Sequence, residues 1–411
     1  MKQIKLHKLV QPIRTSIGLA SSKSESNRAL IIQALAKVAI KLHNLSEARD
    51  TQTMMRLLSS QDQELDVLDA GTTMRFLLAY CSVARHDTVL KGTPRMHQRP
   101  VKLLVEALEQ LGAEVQYLQN EGYPPVQVKG LTMGQRQAEV SIRGDVSSQY
   151  ISALLMIAPL LPKGLALTLT GKVGSKPYIS MTLGLMRRFG IEYNWEGNKI
   201  TVNPQPYQAG SYTIESDWSG ASYWYSLVAL AEEAEVKLLG LRKDSLQGDI
   251  AIVEIMERLG VASAFDDEGV LLTKKEADQN ITYNFSDCPD LAQTVAVTCA
   301  AKGISCEMSG LESLRIKETD RIAALQQELH KIGAKLVEEG ASWKLIPSSE
   351  LPTERQIQIN TYEDHRMAMA FAPLAARIPL SIEEPEVVVK SYPGFWKDLE
   401  QAGLKGKITG S

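Results

Sequence analysis

Several stretches of this chain set hydroxyls, amides or acids at the start of an apolar run and add cations beside them. Ser22-Lys23-Ser24-Glu25-Ser26-Asn27-Arg28 leads into Ala29-Leu30-Ile31-Ile32, and Asp69-Ala70-Gly71-Thr72-Thr73-Met74-Arg75 leads into Phe76-Leu77-Leu78. Ser147-Ser148-Gln149 precedes Ile151–Met156, Ser216-Asp217-Trp218-Ser219 precedes Tyr223–Leu227, Pro289-Asp290-Leu291 precedes Ala292–Val297, and Glu363-Asp364-His365-Arg366 precedes Met367–Phe371. The first turn of a helix has N–H groups without partners and the positive end of the helix dipole, so each such start attracts anions. Lys23, Arg28, Arg75 and Arg366 add full charges to these starts. Further cations stand in loops: Arg95 and Arg99 in Pro94–Pro100, Lys390 before Ser391-Tyr392-Pro393, and the run Arg315-Ile316-Lys317-Glu318-Thr319-Asp320-Arg321. Taken singly, each has a plain explanation as a capped surface helix or a solvated charged face. Repeated, they describe a basic site for small phosphorylated or carboxylated molecules, with arginine for bidentate capture and lysine as a point charge.

Such a basic site would be local, because the chain as a whole is not basic. Its formal net charge is -3, with 44% hydrophobic and 23% charged residues, which gives no reason to expect nucleic acid or an anionic membrane as partner. The N-terminal Met1-Lys2-Gln3-Ile4-Lys5-Leu6-His7 has no apolar signal region, and no stretch reaches membrane-spanning length. Cys81, Cys288, Cys299 and Cys306 lack CxxC or metal-ligand spacing, so reduced thiols in a cytoplasmic protein are expected, with neither metal nor cofactor. A length of 411 residues implies two domains.

The elements that must position the cations show a repeat. Gly112, Gly190, Gly260, Gly333 and Gly403 each end an amphipathic run, at steps of about 70 to 78 residues, and β-type residues follow several of them. Runs such as Leu165–Leu169, Lys199–Val202 and Glu235–Leu239 read as strands. The chain therefore reads as six α/β units, each with one apolar and one amphipathic helix. Runs such as Ile151–Met156 and Ala292–Val297 lack a polar face and should be buried, with sheets wrapped around a helical centre. Six units divide three and three, with the break near Tyr212-Thr213-Ile214-Glu215. The strand around Lys2–Leu9 could pair with either half. The first unit is short: about ten residues separate Met54–Leu58 from Asp69, and no glycine-ended strand lies between them.

Eight motifs in order, from about Ser21 to Trp396, resemble signatures of the 5-enolpyruvylshikimate-3-phosphate synthase family. They are Ser22-Lys23-Ser24-x-Ser26-Asn27-Arg28-Ala29, Ala70-Gly71-Thr72-x-Met74-Arg75, Pro94-Arg95-Met96-x-x-Arg99-Pro100, Ser147-Ser148-Gln149, Ser175-Lys176-Pro177-Tyr178, Arg315-x-Lys317-Glu318-Thr319-Asp320-Arg321, Asp364-His365-Arg366-Met367-Ala368-Met369 and Lys390-Ser391-Tyr392-Pro393. The resemblance implies an α/β fold of two similar domains, each of three βαβαββ units with buried parallel helices, an inside-out α/β barrel. One domain would hold residues 1–19 and 216–411, with 20–215 inserted, and the active site would lie in the interdomain cleft. It also implies transfer of the enolpyruvyl group of phosphoenolpyruvate to the 5-hydroxyl of shikimate 3-phosphate, through a tetrahedral adduct that loses phosphate. That chemistry needs acids, bases and fixed positive charge.

By the same resemblance Asp290 would take the hydroxyl proton, with Glu318 and Lys23 as the other proton-transfer groups. Lys23, Gly71, Arg95, Gln149, Arg321, Arg366 and Lys390 would hold phosphoenolpyruvate. Ser24, Arg28, Ser147, Ser148, Ser175, Tyr178 and Lys317 would hold shikimate 3-phosphate, touched also by Lys23, Gln149 and Asp290. Ser313 stands where the family often has an Asn that contacts this substrate. Asp69 and Phe76 stand where Asn and Pro are usual, and an extra carboxylate beside an anion site should weaken binding unless it points away or pairs with Arg75. Retention of Gly71 predicts sensitivity to glyphosate, since no methyl group would crowd the phosphoenolpyruvate pocket. The sister enzyme acting on UDP-N-acetylglucosamine normally has a cysteine in the loop that here reads Arg95-Met96-His97-Gln98-Arg99, and none of the four cysteines is there. A catalytically dead binding protein would gain by losing Asp290 and Glu318. A monomer acting on small molecules alone is expected.

Overall fold

The computed structural model describes every residue except Met1, His86, Thr132, Met133, Val146, Glu354, Arg355 and Ser411. Its helices are α1 (Lys23–Leu35), α2 (Arg49–Ser59), α3 (Gly71–Ala84), α4 (Lys102–Leu111), α5 (Ser148–Ile157), α6 (Lys176–Arg188), α7 (Trp218–Leu230), α8 (Ile252–Arg258), α9 (Ala292–Lys302), α10 (Arg321–Lys331), α11 (His365–Phe371) and α12 (Phe395–Gln401). They alternate in kind. The odd-numbered helices are the apolar runs with polar starts; in α7 every residue but Ser219 is buried, and in α9 every residue but Lys302. The even-numbered ones bury one stripe, as α4 does with Leu104, Val105, Ala107, Leu108 and Leu111. Gly112 (φ 108°), Gly190, Gly260, Gly333 and Gly403 take the left-handed conformation that closes α4, α6, α8, α10 and α12.

The chain forms two compact units: Met1–Ser21 with Glu215–Ser411, and Ser22–Ile214. In the inserted unit α1, α3 and α5 pack against one another, and in the discontinuous unit α7, α9 and α11 do the same. Helices that close together need small residues and satisfied hydroxyls. Ser226 and Thr298 hydrogen-bond at 2.7 Å between α7 and α9, and Thr298 also donates to the Thr294 carbonyl.

Around each trio lie three sheets. Those of the discontinuous unit are four-stranded, in spatial order 261–265, 269–274, 234–239, 13–18; then 280–284, 305–309, 342–346, 335–339; then 357–359, 380–383, 3–6, 406–409. In each, one pairing is parallel and two are antiparallel. The inserted unit has two sheets of the same design, 64–66, 88–91, 126–130, 114–117 and 139–143, 165–170, 199–202, 194–196. Its remaining sheet has two strands, Gly210–Thr213 parallel to Ile40–His43. Five repeats are thus complete. In the first, the chain leaves α2 and runs directly into Glu64–Asp66 of the next sheet, so the usual antiparallel pair is missing. The N-terminal strand Gln3–Leu6, whose pairing the sequence left open, lies between Leu380–Glu383 and Gly406–Thr409 and is antiparallel to both.

Candidate active site

In the discontinuous unit the starts of α9, α10 and α11 bring three acids and several cations together. A single 3₁₀ turn, Pro289–Leu291, places Asp290 just before α9. Asp290 does not cap that helix. Its Oδ1 accepts from Arg321 Nη1 at 2.9 Å and its Oδ2 from Arg366 Nη2 at 2.8 Å, while Lys317 Nζ lies 3.9 Å away. Asp320 caps α10 by accepting from the Ala323 N–H, which fixes Arg321 as the first helical residue. Asp364 caps α11 by accepting from the Arg366 N–H at 2.8 Å, and its other oxygen accepts from Arg321 Nε at 2.6 Å. Arg321 also donates to Glu318 at 2.8 Å, and Lys390 stands 3.8 Å from the other Glu318 oxygen. Six of the residues singled out in the sequence, Asp290, Lys317, Glu318, Arg321, Arg366 and Lys390, therefore form one network. Arg315 turns away to Asp320 and Glu338. Ser313 lies in the 3₁₀ turn Glu312–Ile316 and is not among the network's ion-pair partners.

Burial alone would raise the Asp290 carboxyl, but Arg366, Lys317 and Arg321 reverse the effect and hold it well below the usual carboxylate range. Burial would likewise lower Arg321, and the carboxylates of Asp364, Glu318 and Asp290 raise it instead. Asp249 stands at the rim of the network in the turn Gly248–Ala251. Its Oδ2 accepts from the Ser219 hydroxyl, which lies 3.5 Å from Arg366 Nη2. Burial pushes this carboxyl up to about 7, with the Asp290 charge adding to the rise and Arg366 opposing it. Asp249 carries no signature along the chain, because its neighbours there, Gln247-Gly248, resemble any turn.

The inserted unit gathers the starts of α1, α3 and α5. Ser22 caps α1, and Lys23 Nζ lies 3.3 Å from Asp50 Oδ2 of α2. Arg28 donates from Nη1 to the Ser24 carbonyl at 2.9 Å, from Nε to Thr182 Oγ1 at 2.7 Å and from Nη2 to Ser152 Oγ at 3.2 Å. Burial lowers its guanidinium to about 10, against the opposing pull of Tyr178 and Glu25. Ser147 caps α5, Ser148 is its first residue, and Gln149 donates to Thr72 Oγ1 of α3 at 2.9 Å. Ser175 takes a left-handed φ of 52° just before α6, and Tyr178 turns its ring to Arg28.

At Gly71 the structure departs from the sequence reading. Arg95 is exposed and donates to Gln98 at 3.1 Å. Arg99 is the arginine laid over Gly71: a Cβ added there would stand 2.6 Å from its Nη1. Both arginines sit in one loop, and only the turn Met96–Gln98 between them decides which faces α3. Arg75 braces the same corner, donating to the Gly71 and Pro100 carbonyls at 3.0 Å each. Both Asp69 carboxylate oxygens accept from Arg49 Nη2, at 2.9 and 2.8 Å.

Among the described residues no group of three or more His, Cys, Asp or Glu is placed to hold a metal ion, and no helix is long and apolar enough to cross a membrane. Residues 57–399 match the family model for EPSP synthase (3-phosphoshikimate 1-carboxyvinyltransferase). A 3-phosphoshikimate 1-carboxyvinyltransferase of Bacteroides fragilis (strain YCH46) is 47% identical over 399 residues, covering 96% of this chain and 97% of the relative. One of Sulfurovum sp. (strain NBC37-1) is 37% identical over 425 residues, with 96% and 97% covered. Among solved structures, an EPSP synthase from Acinetobacter baumannii superposes with a TM-score of 0.81 at 19% identity, covering 100% of both chains. The enolpyruvyl transferase NikO from Streptomyces tendae gives 0.76 at 12% identity, over 100% of this chain and 99% of that one. At those identities the superpositions speak for the inside-out α/β fold, while the family model and the curated relatives speak for descent. Matched over most of its length by both, the chain belongs to the EPSP synthase family.

Proposed function

We infer that the chain transfers the enolpyruvyl group of phosphoenolpyruvate to the 5-hydroxyl of shikimate 3-phosphate and releases phosphate, a step of the shikimate pathway. Family membership carries the reaction. The observation behind its assignment to residues is the Asp290–Arg321–Arg366 cluster, a carboxylate set among cations suited to phosphate and carboxylate.

In this reading Asp290 takes the proton of the attacking hydroxyl. The hydroxyl oxygen bonds to C2 of phosphoenolpyruvate while a proton is delivered to its methylene carbon. The adduct then loses phosphate and one proton from the former methylene, restoring the double bond. Glu318 and Lys23 carry the remaining proton transfers. Arg321, Arg366 and Lys390 hold phosphoenolpyruvate. Lys23, Gly71, Gln149 and Arg99 are its other ligands in this reading, with Arg99 taking the place first expected of Arg95. Ser24, Arg28, Ser147, Ser148, Ser175, Tyr178 and Lys317 hold shikimate 3-phosphate, with Ser313 in the turn that leads to Lys317. Asp290 is held by both Arg321 and Arg366, and Arg321 is held in turn by Glu318 and Asp364. Substrate anions that engage Arg321 and Arg366 relieve that hold, and the carboxylate becomes a stronger base when there is a proton to take. The four free, buried cysteines suit a reducing cytoplasm, and a monomer suffices for the chemistry.

The test is phosphate release from the purified chain. Release that requires both substrates and falls by roughly 10²- to 10⁴-fold in Asp290→Asn, with both ligands still bound, is expected. An Asp290→Asn variant of undiminished rate would remove Asp290 from the mechanism. Ligand binding without turnover in the parent chain would favour the binding-protein reading.

A further inference from the structure

Phe76 lies in α3, little more than a turn beyond Gly71, and is wholly buried. Its ring faces the Arg28 guanidinium of α1, the guanidinium carbon standing 5.4 Å from the ring centroid. The Tyr178 ring of α6 lies 5.8 Å from the same carbon. Both separations are within the range at which the negative face of an aromatic ring attracts a cation. The guanidinium edges are engaged as well: Thr182, Ser24 and Ser152 accept three of its five N–H donors. One N–H is left on each terminal nitrogen, a fork suited to two oxygens of a ligand. A long side chain with many rotamers is thus already ordered, so binding need not order it.

We propose that Phe76 is a positioning residue for shikimate 3-phosphate: its ring holds the Arg28 guanidinium flat and keeps the two spare donors available to that substrate. The proposal rests on the reading that Arg28 contacts shikimate 3-phosphate. A residue without a ring at this position would offer Arg28 no such face.

The experiment is calorimetric titration of the full chain with shikimate 3-phosphate alone, beside the KM for phosphoenolpyruvate in turnover. Phe76→Leu should weaken shikimate 3-phosphate binding by roughly threefold to thirtyfold, the range for losing a desolvated cation–ring contact, and leave the phosphoenolpyruvate KM within about twofold. Arg28→Lys keeps the charge but loses the fork and should weaken the same ligand more. In the double variant the loss should be smaller than the product of the two single losses. Unchanged affinity in Phe76→Leu, equal losses for both substrates, or full multiplication in the double variant each overturns the proposal. If Arg28→Lys leaves shikimate 3-phosphate binding intact, the reading of Arg28 fails and takes the proposal with it. If Arg28→Lys weakens binding and Phe76→Leu does not, only the proposal fails. Should Phe76→Leu not fold, Phe76→Met, closer in volume, replaces it with the same expectation.

Discussion

With one guanidinium Arg321 bonds Asp290, Glu318 and Asp364, almost wholly out of water. Charges packed this way set the titration of their neighbours, and Asp249 gives a measurable case. Its carboxyl ionises at about 7 in the folded chain, facing Asp290, Arg366, Asp217 and the Ser219 hydroxyl, and near 4 when unfolded. Between those values the folded state binds the extra proton, so this group's contribution to stability falls as pH rises from about 4 to about 7 and is level above. Asp249→Asn cannot ionise. Its Tm relative to the parent should therefore climb between about pH 5 and pH 8, followed by calorimetric melting; a constant difference would mean that Asp249 is already charged at pH 5. Individual residues differed in how far the sequence betrayed them. Lys23, Arg28 and Arg366 were legible because a cation at the start of an apolar helix is conspicuous. Asp50 and Asp249 were not, since their partners Lys23 and Ser219 are close only in the folded chain. Arg95 and Arg99 differ by less than one turn of loop, and nothing in the residue types says which faces Gly71.

At the scale of elements, the start of α3 depends on close approach. Gly71 leaves room for the Arg99 guanidinium, and a methyl group there would stand 2.6 to 2.7 Å from three of its atoms. The obstructing group is the flexible end of a side chain, so Gly71→Ala should fold and melt near the parent temperature while Arg99 is pushed aside. The phosphoenolpyruvate KM should rise by roughly tenfold or more, as expected for losing a hydrogen bond to a charged group, and inhibition by glyphosate should weaken with it. A KM unchanged by the substitution would show that Arg99 does not serve this ligand. The helices themselves were legible from periodicity, and their glycine-ended partners from the repeat of αL closures at Gly112 through Gly403. The missing strand pair after α2 was legible too, as a gap too short to hold it. What the repeat could not say was which sheet the first strand joins, because Gln3–Leu6 has the alternation of any half-buried strand and no local partner.

On the scale of the molecule, two units share the chain unequally: one is a continuous segment, Ser22–Ile214, and the other needs both ends. Gln3–Leu6 is an inner strand whose two neighbours are Leu380–Glu383 and Gly406–Thr409. Ile13–Gly18 likewise pairs with Ala234–Leu239, across the whole inserted unit. The feature acts on synthesis. On a ribosome the N-terminal side of the chain emerges first, and domains close as soon as their parts are out. The inserted segment is complete once Ile214 has emerged, whereas residues 3–6 must wait, unpaired, until Leu380–Glu383 has emerged. Nascent chains halted in the second half before residue 380 should therefore resist protease over Ser22–Ile214 and be cut near residues 3–6; protection of residues 3–6 at that stage would contradict the order. A strand made early is one of the last to find its place.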